Sequence, residues 1–239
     1  MIKQALILAG GFGTRLAELT KETPKPMLLI SSNPFIDYLL WNFKRQGISD
    51  IIISIGYFGD KIVNYYGDGS DFGVSITYVQ ESEPLGTGGA IRLACPQLDS
   101  EFIVINGDSL FDINYKDLYT FFSMHSAAMV AMGIRQVSNA SRFGRVILNK
   151  KEHVCDFLEK EDRVLPGVIN GGVYIMKREI LELVTEGFFS LENDLFPKLI
   201  DQSVLVAKQF DGFFIDIGVP DDYKRAQIDL PHWKKNLVA

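Results

Sequence analysis

Three segments of the chain are almost continuously apolar: residues 5–9, 51–55 with Ser54 as its one polar residue, and 102–106, which ends on Asn106. A strand with one wet face alternates apolar and polar residues. A continuous apolar strand has to be covered on both faces, as in parallel sheets flanked by helices. Segments with helical spacing lie between these runs. Residues 34–46 place Phe35, Leu39, Leu40 and Phe43 on one side and stop at Gly47. Residues 60–66 and 86–95 predict two more helices, the second halted by Pro96, and 74–79 predicts another strand. Strand and helix alternate, which predicts an α/β fold: a Rossmann-like mixed, mostly parallel sheet with helices on both faces. The later part predicts strands over 127–135, 145–148, 154–158, 168–176, 204–208 and 212–216. It predicts helices over 178–184, 191–200 and 220–228. No repeat, linker or low-complexity segment interrupts the chain, so a single domain over 1–239 is expected, with one half at about 1–125 and the other at about 126–239.

Open sheets of this kind bind ligands at the carboxyl ends of their strands. Two polar segments fall there, Gly10–Arg15 after the first strand and Gly107-Asp108 after the strand at 102–106. Glycines let backbone N–H groups approach a ligand closely, and consecutive N–H groups form an anion-binding nest. The expected ligand is a phosphate chain. The net charge of −6 disfavours a nucleic-acid partner, so an anionic substrate must be held by local cations and amides. No signal peptide or membrane-spanning run is expected, and Cys95 and Cys155 lack metal-type spacing, which predicts two free thiols in a cytoplasmic protein. His125, His153 and His232 have no motif around them.

The first loop departs from two common glycine motifs. Leu16 stands where a dinucleotide fingerprint has its third glycine, and no Gly-Lys-Ser/Thr follows as in a P-loop. The longer pattern is more specific: Gly10-Gly11-Phe12-Gly13-Thr14-Arg15-Leu16, then Thr23-Pro24-Lys25-Pro26. The two prolines restrict the backbone on either side of Lys25, which suits a point charge aimed at one phosphate. Asp108 and Asp216 each lie at or just after the end of an apolar strand near a glycine, as oxygen ligands for Mg²⁺ would, although Asp211, Asp221 and Asp222 lie close to the second. Residues 80–89 combine two carboxylates, Glu81 and Glu83, with Gly86, Gly88 and Gly89, which permit backbone contact with a flat ligand group.

The loop resembles the signature of the sugar-1-phosphate nucleotidyltransferases, or nucleotide-sugar pyrophosphorylases. The resemblance covers nearly the whole chain. It includes Glu83-Pro84-Leu85-Gly86-Thr87-Gly88-Gly89-Ala90, Asn106-Gly107-Asp108, Phe157-Leu158-Glu159-Lys160, Asn170-Gly171-Gly172 and Phe214-Ile215-Asp216-Ile217-Gly218. Within the family, the chain is most similar to the short bacterial guanylyltransferases acting on D-glycero-α-D-manno-heptose 1-phosphate.

The resemblance implies a nucleotidyltransferase fold of the GT-A-like kind, nucleotide bound by the first half and sugar phosphate by the second. It implies Arg15, Lys25 and Asp108 as catalytic and Asp108 and Asp216 as Mg²⁺ ligands. Nucleotide contacts fall to Leu8, Gly10, Gly11, Gly13, Thr14, Arg15, Glu81, Pro84, Gly86, Thr87 and Gly88. Gly144, Glu159, Lys160, Asn170 and Gly171 would bind the sugar phosphate, with Gly172 leaving the ring room. Phe188, Phe189 and Glu192 line an outer sugar pocket, or the two aromatics belong to the core or a subunit contact. GTP and heptose 1-phosphate are the expected substrates, with no nucleic acid or membrane partner and a homo-oligomer allowed. Mannose 1-phosphate with GTP, N-acetylmuramate 1-phosphate with UTP, and a non-catalytic nucleotide-sugar sensor are the alternatives.

Overall fold

The computed structural model describes residues 2–11, 13–16, 18–158 and 164–238. The chain forms two compact units that interleave along the sequence. One contains Lys3–Pro84, Ile105–Asp112 and Phe213–Ala239, the other Leu85–Val104 and Ile113–Gly212 with Met1–Ile2.

In the first unit, β1 (Gln4–Leu8), β4 (Asp50–Ile55) and β5 (Ser75–Gln80) pair in parallel, with Ala5 opposite Ile51 and Ile51 opposite Ile76. The apolar runs have the expected cause: Ala5, Leu6, Ile7, Ile51, Ile52 and Ile53 are all buried. Each fully buried Leu or Ile contributes about 1.5–3 kcal/mol relative to exposure. Helix α1 (Phe35–Arg45) buries Phe35, Ile36, Leu39, Leu40 and Phe43. It ends at left-handed Gly47, whose N–H donates to Lys44 O while that of Ile48 donates to Phe43 O. A short antiparallel pair, β2 (Leu29–Ile30) with β3 (Asn33–Pro34), precedes it, and α2 (Gly59–Tyr66) follows β4. The C-terminal part of β6 (Glu101–Asn106) also belongs here, as do β7 (Ser109–Phe111), β13 (Phe214–Asp216) and α6 (Pro220–Val238).

The second unit is built on β11 (Gly167–Lys177). It pairs antiparallel with β8 (Val130–Val137) and β9 (Arg145–Leu148), and β9 pairs with β10 (Val154–Leu158). Strand β12 (Leu205–Gln209) runs parallel to β8. Helices α3 (Gly86–Ala94), α4 (Tyr115–Met124) and α5 (Phe196–Asp201) complete it. The expected class, a mixed, mostly parallel sheet with helices, is the one observed. Both cysteines are free.

Several boundaries differ from the sequence-based expectation, each for a local reason. Residues 191–200 do not form one α-helix. Leu191–Leu195 is a π turn closed by Phe196 N–H donating to Leu191 O. Pro197 follows, and a proline cannot donate to the carbonyl four residues back. Arg178–Leu183 winds as a 3-10 helix, and α6 runs ten residues past the expected end at Ile228, with Pro231 inside it. Among the strands and α-helices described, β2, β3, β7 and α4 fall outside the expected set. Helix α4 carries a visible signal: the Asn114 side chain caps it by accepting from the N–H groups of Lys116 and Asp117.

Helix α6 is fastened to the first unit by Asp112, whose carboxylate accepts from Arg45 and, at 2.9 Å, from the Trp233 indole. Trp41 and Trp233 meet edge to face beside the Arg45 guanidinium. Removing the acceptor strands the indole N–H of the buried Trp233 and leaves the Arg45 guanidinium without its carboxylate. Asp112→Ala is therefore expected to lower stability by about 2 kcal/mol in urea unfolding followed by tryptophan fluorescence. An unchanged midpoint would contradict this role for Asp112.

Candidate active site

The centre of the first unit's site is a buried lysine. Pro24 and Pro26 flank Lys25, which opens a 3-10 turn at Lys25–Met27. Lys25 is only 7% exposed. Its ammonium donates to Asp108 Oδ2 at 2.5 Å. Burying an ammonium without a counter-charge is prohibitive, so the position of Asp108 decides that of Lys25.

Asp108 follows β6 in a turn whose geometry is set on both sides. Gly107 N–H donates to Leu8 O at 2.9 Å, and a Cβ on Gly107 would fall 2.7 Å from that oxygen. Strand β7 then pairs antiparallel with β13, placing Asp216 opposite Ser109. Ile217 N–H donates to Asp108 O at 2.9 Å. The second aspartate is thereby brought to the first from more than a hundred residues away. Asp216 Oδ1 accepts from Gly218 N–H at 2.8 Å. A Cβ on Gly218 would lie 2.5 Å from Asp216 Oδ1 and 3.4 Å from Lys25 Nζ. Glycine there leaves room for Lys25 and the Asp216 carboxylate. Asn106, the residue before this turn, keeps its Oδ1 buried without a hydrogen-bond partner.

The donor set suits a hard divalent cation. Two carboxylates plus substrate phosphates are a usual way of holding Mg²⁺, which prefers oxygen. Among the described residues no group of three or more His, Cys, Asp or Glu is arranged to hold a metal ion. Asp108 and Asp216 would hold such an ion, which would supply charge neutralisation to a bound phosphate chain.

The glycine loop after β1 shares the unit. Gly13 is left-handed, and its carbonyl accepts from Leu16 N–H at 2.9 Å and from Thr20 Oγ1 at 3.2 Å. Thr14–Leu16 forms a 3-10 turn on which Arg15 is exposed, and Gly11 is exposed before it. Gly10 has a side-chain neighbour in place of its own: a Cβ would fall 2.1 Å from Glu81 Oε1. Ser54 Oγ donates to that same Glu81 oxygen at 2.9 Å. Glu81 thus supports the loop from behind. A cavity of about 380 Å³ opens beside Gly10 and is lined by Glu81, Glu83 and Pro84 together with Tyr57, Phe58 and Asp60. The last three lay outside the sequence-based set. The signal available for them was an aromatic pair between two glycines at the carboxyl end of an apolar strand.

The remaining candidates lie in the second unit. Gly86, Thr87 and Gly88 form the first turn of α3, and segment 187–191 packs against them. Phe189 O accepts from Gly88 N–H at 2.8 Å and Gly89 N–H at 3.1 Å. Thr87 Oγ1 accepts from Leu191 N–H at 2.8 Å and donates to Glu192. Phe189 is buried and Phe188 is 71% exposed. These glycines have a packing reason, because Cβ atoms at 86, 88 and 89 would fall within 2.7 Å of atoms of segment 187–189. Asn170-Gly171-Gly172 lies where the register of β11 against β8 shifts, at a bulge with left-handed Gly172. The Asn170 side chain accepts from Gly172 N–H at 2.9 Å and donates to the Tyr174 hydroxyl at 2.6 Å. Gly144 precedes β9, and the Phe157 ring occupies its side-chain space. Glu159 and Lys160 lie outside the described residues. Among the described residues, no helix is long and apolar enough to cross a membrane.

The family profile described as nucleotidyl transferase matches residues 4–232. A D-glycero-alpha-D-manno-heptose 1-phosphate guanylyltransferase from Aneurinibacillus thermoaerophilus is 40% identical over 234 residues, covering 96% of this chain and 99% of the relative. The crystal structure of HddC from Yersinia pseudotuberculosis superposes with a TM-score of 0.85 at 35% identity, covering 95% of this chain and 99% of that one. The structure of HddC complexed with GMP-PN is likewise similar, with a TM-score of 0.83, 35% identity and the same coverage of both chains.

The packing of segment 187–189 on α3 carries its own test. Gly89→Ala would set a Cβ 2.7 Å from the backbone oxygen of Gly187, which cannot rotate away. The variant is expected to lose about 1–3 kcal/mol in chemical denaturation. Wild-type stability would contradict the packing role.

Proposed function

We propose that this chain, which belongs to the nucleotidyl transferase family, transfers GMP from GTP to D-glycero-α-D-manno-heptose 1-phosphate and releases pyrophosphate. The buried Lys25 beside Asp108 and Asp216 at the carboxyl end of the sheet carries the reaction class. The likeness to heptose 1-phosphate guanylyltransferases and to HddC supports the choice of base and sugar. The product would serve bacterial surface polysaccharide synthesis from the cytoplasm.

In this reaction an oxygen of the sugar 1-phosphate forms a bond to the α-phosphorus of GTP. The bond from that phosphorus to the oxygen bridging it to the β-phosphorus breaks, and the electron pair leaves with pyrophosphate. The attacking oxygen is already anionic near neutral pH, because a phosphate monoester has its second pKa near ~6. No general base is needed. The task is to bring two anions together and to support charge on the leaving group. Lys25 supplies a fixed positive charge for this, held in place by the prolines beside it and by Asp108. Arg15, exposed on the signature loop, supplies a second. Asp108 and Asp216 would hold Mg²⁺, which when bound supplies charge neutralisation at the phosphate oxygens. The amides of Gly10, Gly11 and Gly13 would hold the triphosphate, with Leu8, Thr14 and Pro84 beside it. Gly86, Thr87 and Gly88 would supply further nucleotide contacts. Gly144, Glu159, Lys160, Asn170 and Gly171 would take the sugar phosphate.

A pyrophosphate-release assay with four nucleoside triphosphates against several sugar 1-phosphates tests the reading. GTP with the heptose 1-phosphate and Mg²⁺ should turn over fastest. No turnover with any pair would contradict an enzyme of this class, and faster turnover with mannose 1-phosphate would contradict the heptose assignment. Lys25→Ala should lower kcat by about 10²–10³. Lys160→Ala should mainly raise the KM for sugar phosphate. The reverse pattern would mean that the two phosphate sites are exchanged.

A further inference from the structure

The turn between β4 and α2, Gly56-Tyr57-Phe58-Gly59, is built against resistance. Phe58 is left-handed, with φ 60° and ψ 24°, a conformation disfavoured for a bulky side chain. Gly56 is pressed on the signature loop, since a Cβ there would fall 2.6 Å from Gly10 O. Gly59 is pressed on β4, where a Cβ would fall 2.9 Å from the Cβ of Ile55. A simple connection needs none of this. Strained non-glycine residues persist where the surrounding structure imposes them, often at ligand sites.

The result of the turn is the placement of one aromatic ring. Tyr57 remains 62% exposed, although it lines the cavity beside Gly10. Its ring centroid lies 4.0 Å from that of Phe58, and the Lys61 ammonium stands 5.1 Å from the Phe58 centroid. Phe58 thus contacts both the Tyr57 ring and the Lys61 cation.

The cavity lining has a decided chemistry. It contains three carboxylates, Asp60, Glu81 and Glu83, and no lysine or arginine. Such a lining repels a phosphate and accepts a neutral group rich in N–H donors. Guanine presents donors at N1 and at its exocyclic amino group, together with a flat face. We propose that Tyr57 is the stacking platform for the purine base, with the acidic residues reading the base edge while the glycine loop holds the phosphates. This rests on the guanylyltransferase reading and adds a specificity-determining residue to it.

Calorimetric titration of GTP, and separately of inorganic tripolyphosphate, into the wild type and the variants Tyr57→Ala, Tyr57→Leu and Tyr57→Phe tests the assignment. Stacking on an aromatic residue contributes enough that Tyr57→Ala should weaken GTP binding by roughly 5- to 150-fold. Tyr57→Leu, which keeps bulk without a π face, should weaken it similarly, and Tyr57→Phe should stay near wild type. Tripolyphosphate should bind all four proteins alike. Wild-type GTP affinity in Tyr57→Ala overturns the stacking assignment and leaves the guanylyltransferase reading intact. Equal loss of GTP and tripolyphosphate also overturns it, because the variant would then have disturbed the phosphate loop. A wild-type protein that binds tripolyphosphate but not GTP overturns both.

Discussion

A lysine as buried as Lys25 needs an anion, and Asp108 is its anion. Much of the first unit's design follows from that pair. The ammonium is far from the β6 turn in sequence, so the chain must bring the segment around Lys25 to the carboxyl end of β6. Prolines on both sides of Lys25 reduce the freedom lost in doing so. The same turn must meet β13, because β7 and β13 align Asp216 with Ser109 and join Ile217 to the Asp108 carbonyl. Lys25, paired with Asp108, then shares with the Asp216 carboxylate the space that Gly218 leaves open.

Glycines in this protein divide by what takes the place of their side chains. At Gly10 it is the Glu81 carboxylate, at Gly56 the Gly10 backbone, at Gly107 the Leu8 carbonyl. These contacts seat the ends of β1, β4 and β6 closely enough to present one set of loops. At Gly88 and Gly89 it is segment 187–189, whose Phe189 carbonyl also takes both of their N–H groups. Glu81 illustrates how one side chain can serve two ends. Its carboxylate fills the space behind the glycine loop, accepts from Ser54, and lines an acidic cavity.

The sequence conveyed the fold class because uninterrupted runs such as Ile51-Ile52-Ile53 have few structural solutions. The end of α1 was legible in Gly47, and Asp108 and Asp216 were legible as strand-end aspartates. Their meeting was not, because it depends on β7, three residues too short to show a period. The π turn at Leu191–Leu195 was hidden for a different reason: apolar spacing is continuous there, and only Pro197 forces the widening. The packing role of the α3 glycines was not legible, because segment 187–189 lies about a hundred residues further along. Tyr57 was not legible, because an exposed aromatic in a turn has no pattern of its own. Its significance comes from the strain at Phe58 and the carboxylates around it.

The central claim is that Asp108 and Asp216, organised around Lys25, form the cation centre of nucleotidyl transfer. Its most direct measurement is a Mn²⁺ titration in the presence of GTP, followed by electron paramagnetic resonance, on the wild type and on Asp108→Asn, Asp216→Asn and Asp221→Asn. Asp108→Asn and Asp216→Asn should each weaken Mn²⁺ binding by more than about tenfold, since loss even of groups that only support a ligand costs that much. Asp221→Asn should match the wild type. Wild-type Mn²⁺ affinity in both Asp108→Asn and Asp216→Asn would contradict the account.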